Sequence, residues 1–150
     1  MIKKCPSKKQ RLVFNYLEKR FGIKRDSFND FNLYTEEKGK IFLGPKTFIN
    51  RCISIGLVIA RIDNSIEPSN NLLQTFGKYD KKNFILLNKE DALSYIKVED
   101  LEFLQDEIKE ATEGYVLLKY SNFPLGCGLL KGKHLKNMLP KAKRLKLEFL

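Results

Sequence analysis

Residues 113–141 read EGYVLLKYSNFPLGCGLLKGKHLKNMLPK, and within this stretch an apolar segment gives way to a cationic one. Residues 115–120 are rich in side chains that favour β-strands, and Ser121-Asn122 supplies turn chemistry. Residues 124–128 then open a second strand, with glycines where a backbone must bend or be approached closely. The pattern predicts a β-hairpin that is followed by a positively charged tail.

Charge is unevenly distributed along the 150 residues, whose formal net charge is +10. Residues 131–150 carry seven basic residues and one acid, and residues 1–25 carry nine basic residues and one acid. Residues 99–113 carry seven acids and one lysine. This segregation predicts a basic surface for a phosphate-bearing polyanion and a separate acidic surface. The alternative is that the lysines only keep a small protein soluble.

The composition is that of a folded protein. Hydrophobic residues make up 43% of the chain and charged residues 31%, which is enough apolar material for a core. No apolar run approaches the roughly 20 residues that a bilayer span requires, and the chain begins MIKK, so we expect a cytoplasmic protein. Cys5, Cys52 and Cys127 lie far apart, so neither a disulfide framework nor a C-x-x-C metal site is expected.

The N-terminal segment predicts a helix over residues 8–21. Ser7 and Gln10 have the spacing of a capping box, and Gly22 stands where a helix C-cap is expected. An apolar stripe at helical spacing supports the helix: Leu12, Val13, Tyr16 and Leu17. Its expected exposed face carries Lys8, Arg11 and Asn15.

Further elements alternate along the chain. Strands are predicted over residues 40–43, 57–62 and 84–87, and helices over residues 68–76 and from a cap at Asn88 and Asp91 to Ile96. Pro45 is predicted to begin a short helix that buries Phe48, Ile49, Cys52 and Ile53. Three aromatic residues invite two interpretations, stacking on bases or burial in a core: Phe28, Phe31 and Tyr34. The mixture predicts an α+β fold.

The C-terminal motif resembles a known family. A strand ending in Tyr120 and a short turn is followed by Pro-Leu-Gly-x-Gly and then by LKNMLPK at residues 135–141. This order resembles the C-terminal PUA-like RNA-binding domain of RsmF-type ribosomal RNA 5-methylcytosine methyltransferases. Upstream segments fall in the order expected of the region that follows the methyltransferase core in that family: FGI at 21–23, GKIFL at 39–43, GLVIA at 56–60, EPS at 67–69 and DALSYI at 91–96.

The resemblance implies an N-terminal α/β module over residues 1–66 and a PUA-like, mainly antiparallel pseudo-barrel with short helices over residues 67–150. The family's enzymes add a Rossmann domain for S-adenosylmethionine and a nucleophilic cysteine that follows a proline. This chain has no glycine-rich turn of that type, and Cys5-Pro6 has the reverse order. The resemblance therefore implies a stand-alone RNA-binding portion without a cofactor and without methylation chemistry.

Candidate RNA contacts follow from position. The C-terminal cations are expected to contact phosphates, and His134 and Asn137 are expected to contact sugar or base edges. The N-terminal helix is expected to add a second basic surface. An alternative role for Asn137 and Pro140 is a turn that fixes the final strand. The expected phosphate contacts are Lys131, Lys133, Lys136, Lys141, Lys143 and Arg144, with Lys8, Lys9 and Arg11 on the second surface.

Catalysis has little support in the sequence. His134 is the one histidine, and its neighbours Lys133 and Lys136 are expected to disfavour its protonated form. We therefore expect a non-catalytic RNA-binding protein of ribosomal or transfer RNA modification or of ribosome biogenesis. Two alternatives are an adaptor that docks on a separately encoded RNA methyltransferase and an enzyme acting on RNA. No metal and no cofactor are expected.

Overall fold

The computed structural model describes residues 2–47 and 56–140, which form two β-sheets and helices packed against them. Within these residues the strands are β1 (Lys3–Lys4), β2 (Asn32–Thr35), β3 (Lys40–Gly44), β4 (Leu57–Ile62), β5 (Ile66–Pro68), β6 (Phe84–Leu87), β7 (Leu101–Glu102), β8 (Gly114–Tyr120), β9 (Phe123–Lys131) and β10 (His134–Asn137). The α-helices are α1 (Ser7–Phe21), α2 (Asn70–Phe76) and α3 (Lys89–Ile96), and short 3-10 helices span Arg25–Phe28, Gly77–Tyr79 and Gln105–Ile108.

The first sheet is an antiparallel meander in the order β1-β2-β3-β4-β5. Helix α1 packs on it through Val13, Leu17 and Phe21. Burial of Val13 and Leu17 confirms part of the predicted stripe, and its member Tyr16 is half-buried. Leu12 is 50% exposed, so its place in the predicted apolar stripe is wrong. The buried stripe follows positions 13, 14, 17 and 21, which share one face of a 3.6-residue helix.

The ends of α1 confirm one predicted cap and contradict the other. Gly22 adopts the left-handed conformation with φ +71°, and its N–H bonds to the carbonyl of Glu18, as the C-cap prediction requires. The predicted capping box is wrong, since Pro6 is the N-cap residue and Ser7 is already helical. Gln10 instead donates its side-chain amide to the carbonyl oxygen of Cys5 at 2.8 Å.

The second sheet has the order β6-β8-β9-β10-β7. The predicted hairpin is confirmed: β8 pairs with β9, and Tyr120 lies opposite Phe123 across the turn. Strand β6 runs parallel to β8, and the other pairs are antiparallel. Part of the predicted cationic tail is therefore the strand β10, which lies between β9 and the acidic segment's strand β7. A second core cluster fills the face under α3, and it includes Tyr95, Val116, Leu118, Leu130 and Leu135.

Helix α2 connects the two sheets. Its start differs from the prediction, because Pro68 ends β5 and Ser69 caps the helix by accepting a hydrogen bond from the N–H of Leu72 at 3.0 Å. Leu73 and Phe76 enter the first core cluster, which also receives Leu117 from β8. The apolar side chains of α2 therefore pack in the first core cluster, while its polar side chains form hydrogen bonds with the second sheet and the residue that follows β10. Asn70 and Gln74 make those bonds to the backbone of Cys127, Met138 and Leu125.

Three sequence predictions have different standings. The strands predicted over residues 40–43, 57–62 and 84–87 are confirmed. The Asn88 cap is also confirmed, because Asn88 Oδ1 accepts a hydrogen bond from Asp91 N–H at 2.7 Å. The short helix does not begin at Pro45 as predicted, since residues 45–47 are not helical, and Phe48, Ile49, Cys52 and Ile53 lie outside the described residues. The module boundary between residues 66 and 67 stays a prediction.

Arg20, near the end of α1, holds the helix against the second sheet. Its Nε donates to the carbonyl of Tyr115 at 2.7 Å, and Nη2 donates to the carbonyl of Thr112 at 2.7 Å. The Nη1 atom donates to Thr112 Oγ1 at 2.6 Å. Asn83 closes the network, since its Nδ2 donates to the Arg20 carbonyl at 2.6 Å and its Oδ1 accepts from Thr112 N–H at 2.8 Å.

Arg20→Lys should lower the free energy of unfolding by about 1–3 kcal/mol, because an ammonium group cannot reproduce three bonds of the planar guanidinium. Chemical denaturation measures the change. The matched control is Arg11→Lys on the exposed face of the same helix, which we expect to be neutral within about 0.5 kcal/mol. Equal effects of the two substitutions would contradict the role of the network.

Gly126→Ala should destabilise the fold by about 1–3 kcal/mol, because a Cβ built there would lie 2.6 Å from Tyr95 Oη and 2.8 Å from Asn70 Oδ1. In a Tyr95→Phe background the same substitution should cost less, since the nearest clashing oxygen is gone. Thermal or denaturant unfolding of the four proteins gives the coupling. Strictly additive losses would show that the contact with Tyr95 does not exclude a side chain.

Candidate nucleic-acid interface

The predicted phosphate contacts that the structure describes are exposed at the end of β9, in the following turn and on β10. Lys131, Lys133 and Lys136 all point into solvent, while Leu135 between them is buried. The alternation along β10 puts His134 and Lys136 on the same outer face. The remaining predicted contacts lie outside the described residues, and they are Lys141, Lys143 and Arg144.

His134 lies between two carboxylates. Its Nδ1 is hydrogen-bonded to Glu102 Oε1, and its Nε2 lies 3.6 Å from Asp100 Oδ2. The bond to Glu102, aided by the charges of Glu102 and Asp100, raises the pKa of the imidazole above its ordinary value. The prediction that the neighbouring lysines disfavour the protonated form is therefore wrong. The reason is the antiparallel register of β10 with β7, which places Glu102 opposite His134.

Asn137 uses its side chain within the protein. Its Nδ2 donates to the carbonyls of Tyr95 at 2.8 Å and Glu99 at 2.9 Å, and its Oδ1 accepts from Leu139 N–H at 2.8 Å. Both amide hydrogens have partners, so a base contact would replace bonds that already exist. This geometry favours the second of the two roles considered for Asn137, a turn that fixes the end of β10 against α3.

Acidic groups line the edge that carries the C-terminal lysines. Glu113 Oε1 accepts a hydrogen bond from Gly132 N–H at 2.8 Å, and Asp100 Oδ1 accepts from Asn137 N–H at 2.8 Å. Together with Glu102 beside His134, these carboxylates interleave with the cations of β9 and β10. The expected separation of a basic from an acidic surface does not hold along this edge.

The N-terminal candidates lie on the first turns of α1. Lys8 and Arg11 are exposed and Lys9 is partly exposed, so the predicted second basic surface is accessible. Of the aromatics considered for stacking, Phe28 and Tyr34 are buried, which agrees with the core interpretation. Phe31 is 40% exposed.

A third group of cations, which the sequence analysis does not single out, meets at the junction of the two sheets. The backbone N–H groups of Lys81 and Lys82 donate to the carbonyl of Phe21 at 2.8 and 3.3 Å, which holds them against the end of α1. The signal in the sequence is GKYDKK at residues 77–82. We call the groove formed here the junction cleft, and it is lined by Gly22, Lys24, Asp26, Ser27, Lys78, Tyr79, Asp80 and Lys81.

Asp80 is a buried carboxyl group in the lining of the junction cleft. Burial raises its pKa to about 6, against the lowering effect of the hydrogen bond from Lys82 N–H to Oδ1 at 2.9 Å. Its Oδ2 is buried without a hydrogen-bond partner among the residues described. Asp80 therefore takes up a proton at a higher pH than an exposed carboxylate does, and it is half protonated near pH 6.

Known proteins match this chain in two comparisons. Residues 82–145 match the family model described as the methyltransferase RsmF PUA domain. The fold is similar to the structure of a conserved PUA domain protein from Thermoplasma acidophilum, with a TM-score of 0.61 and 12% sequence identity over 96% of this chain and 98% of that one. No curated protein matches the sequence. The fold is therefore PUA-like, as the resemblance predicted.

Two further features concern the residues that the structure describes. Neither 2–47 nor 56–140 contains a helix that is long and apolar enough to cross a membrane. In the same two ranges, no group of three or more His, Cys, Asp or Glu side chains is placed to hold a metal ion.

His134 should titrate above its ordinary pKa of about 6.5, and Glu102→Gln should lower that pKa because it removes the carboxylate bonded to the ring. NMR of the imidazole resonances against pH measures both values, since the chain has one histidine. The control is Glu90→Gln on α3, which removes an equal charge elsewhere. If the two variants gave the same pKa, the pairing with Glu102 would be wrong.

Proposed function

We propose that this chain, whose C-terminal part is a PUA-like domain related to the C-terminal region of RsmF methyltransferases, is a non-catalytic RNA-binding protein. The observation that carries the proposal is the RsmF PUA match over residues 82–145 within a PUA-like fold. PUA domains are generally RNA-binding modules. The net charge of +10 supports a partner with a phosphate backbone.

The process we propose is ribosomal or transfer RNA modification or ribosome biogenesis in the cytoplasm. Its support is the family of the matched domain, whose model is named for a methyltransferase. RNA contacts would come from exposed lysines on β9, on β10, in the turn between them and on α1.

The proposal of a non-catalytic role is supported by the state of the reactive side chains. Burial raises the pKa of the Cys5 and Cys127 thiols above their ordinary value, which opposes formation of the thiolate nucleophile. Both ring nitrogens of His134 already face carboxylates. Cys52 lies outside the described residues.

A second candidate function is an adaptor that docks on a separately encoded RNA methyltransferase and supplies RNA affinity. The observation that favours it is the tip of the hairpin, where Phe123 is 69% exposed and its cross-strand neighbour Tyr120 is 38% exposed. Exposed aromatic residues are enriched at protein interfaces. Copurification with a methyltransferase that depends on Phe123 would favour this function over a solitary RNA-binding protein.

The purified protein should bind single-stranded RNA with a strong salt dependence. If about four to six cations contact phosphate, the logarithm of affinity falls against the logarithm of salt concentration with a slope of roughly −3 to −4. Fluorescence anisotropy of a labelled oligonucleotide over a salt series measures the slope. Absence of binding, or affinity that does not change over a several-fold rise in salt, would contradict the proposed function.

The triple variant Lys131→Gln, Lys133→Gln and Lys136→Gln tests the β9–β10 surface within this experiment. If all three contact phosphate, the slope should become less steep by about 2, at about 0.7 per contact. The charge-matched control replaces three exposed lysines elsewhere, Lys38, Lys89 and Lys109, by glutamine. A slope equal to that of the control would remove the β9–β10 lysines from the RNA site without affecting the proposal of RNA binding.

A further inference from the structure

We propose that the junction cleft binds a nucleotide of single-stranded RNA, with Tyr79 stacking on the base and Lys24, Lys78 and Lys81 contacting phosphates. The inference rests on the proposed RNA-binding function and names a contact surface other than the β9–β10 strands and the first turns of α1. It is carried by an exposed aromatic ring that lies within a group of lysines drawn from two distant segments of the chain.

The cleft is built by backbone contacts, which give it a defined shape. Gly22 turns the chain at the end of α1, and a Cβ at this position would lie 3.0 Å from Lys81 Cβ. On the other side, Gly77 packs so closely that a Cβ there would lie 2.8 Å from Pro124 Cβ and 3.0 Å from a methyl carbon of Leu117. The 3-10 turn that carries Tyr79 is thereby fixed against both α1 and the hairpin.

The charge of the cleft is predominantly positive. Lys24, Lys78 and Lys81 line it and are exposed. Lys82 follows directly in the chain, and its Nζ donates to the backbone carbonyl of Lys19 at 3.2 Å. Asp26 is the exposed acid of the lining, since Asp80 is buried. This balance fits a partner that carries several negative charges along its length.

Tyr79 supplies the second kind of contact. Its side chain is 44% exposed, and one side of the ring approaches Phe76, with centroids 6.4 Å apart. The Nζ of Lys78 lies over the ring, 5.1 Å from its centroid, so a base that stacks on this face takes the place of the ammonium, which is then free to contact a phosphate. An aromatic ring beside an ammonium group matches the two parts of a nucleotide, a base with a π-face and a phosphate. Runs of Asp and Glu side chains offer the charges but no aromatic face to stack on the ring, so RNA is the better fit.

Two variants separate the stacking contact from the charge contact. Tyr79→Leu should weaken binding of a labelled single-stranded RNA oligonucleotide about tenfold without changing the salt slope, because it removes only the π-face. Lys24→Gln, Lys78→Gln and Lys81→Gln together should make the slope less steep by about 2. Tyr79→Phe retains the ring and should bind like the unmodified protein.

The charge-matched control is again the triple glutamine variant at Lys38, Lys89 and Lys109, and thermal unfolding establishes that each variant is folded. If the unmodified protein bound RNA and both cleft variants matched their controls, the inference would be wrong and the proposed function would stand. If the unmodified protein bound no RNA, both would be wrong. Tighter binding of a polyglutamate peptide than of RNA, lost in the cleft triple variant, would assign the cleft to an acidic protein instead.

Discussion

The three hydrogen bonds that the Arg20 guanidinium donates hold α1, which packs on the first sheet, against the second sheet. A guanidinium that loses water at a junction needs partners for its N–H groups, and here backbone carbonyls of the second sheet and its preceding loop supply them. Burial lowers the pKa of Arg20, which indicates that this position is held at an electrostatic cost. Asn83, with φ +54°, bonds to both partners of the contact, so the geometry is specified from both sides.

Helix α2 extends this coupling into the interior. Its apolar side chains complete a core that contains α1, residues of the middle strands β2, β3 and β4 and two residues of the hairpin, while its polar side chains bond to β9. The first core cluster therefore needs Leu117 and Cys127 from the hairpin, whereas the second cluster consists of residues 85–139 alone. At the junction, the backbone N–H groups of Lys81 and Lys82 bond to the carbonyl of Phe21, which places residues 78–82 next to the end of α1.

Local signals predicted the elements that local chemistry determines. The hairpin, the glycine cap of α1 and the Asn88 cap of α3 each depend on neighbouring residues, and each was recognisable. Strands β5 and β10 are short and pair with the preceding strands β4 and β9, whereas β7 exists only through its pairing with β10, which is distant in the chain. The pairing of His134 with Glu102 follows from such a register. The exposure of Lys131, Lys133 and Lys136 could be predicted from the sequence. The bonds of Asn137 and the junction cleft could not, because they join segments that are distant in the chain.

The first core cluster has a consequence for synthesis of the chain. Its members run from Cys5 to Leu73 and Phe76, but Leu117 and Cys127 belong to it as well. A nascent chain that has emerged only as far as α2 holds the whole first sheet, on which α1 packs, but it lacks Leu117 and Cys127, which complete the core beside α2. Because chains elongate at about 5–20 residues per second, this part of the core stays incomplete for a few seconds, until about fifty further residues have been synthesised. During synthesis, the apolar surface beside α2 therefore stays exposed to aggregation until the hairpin residues Leu117 and Cys127 have emerged.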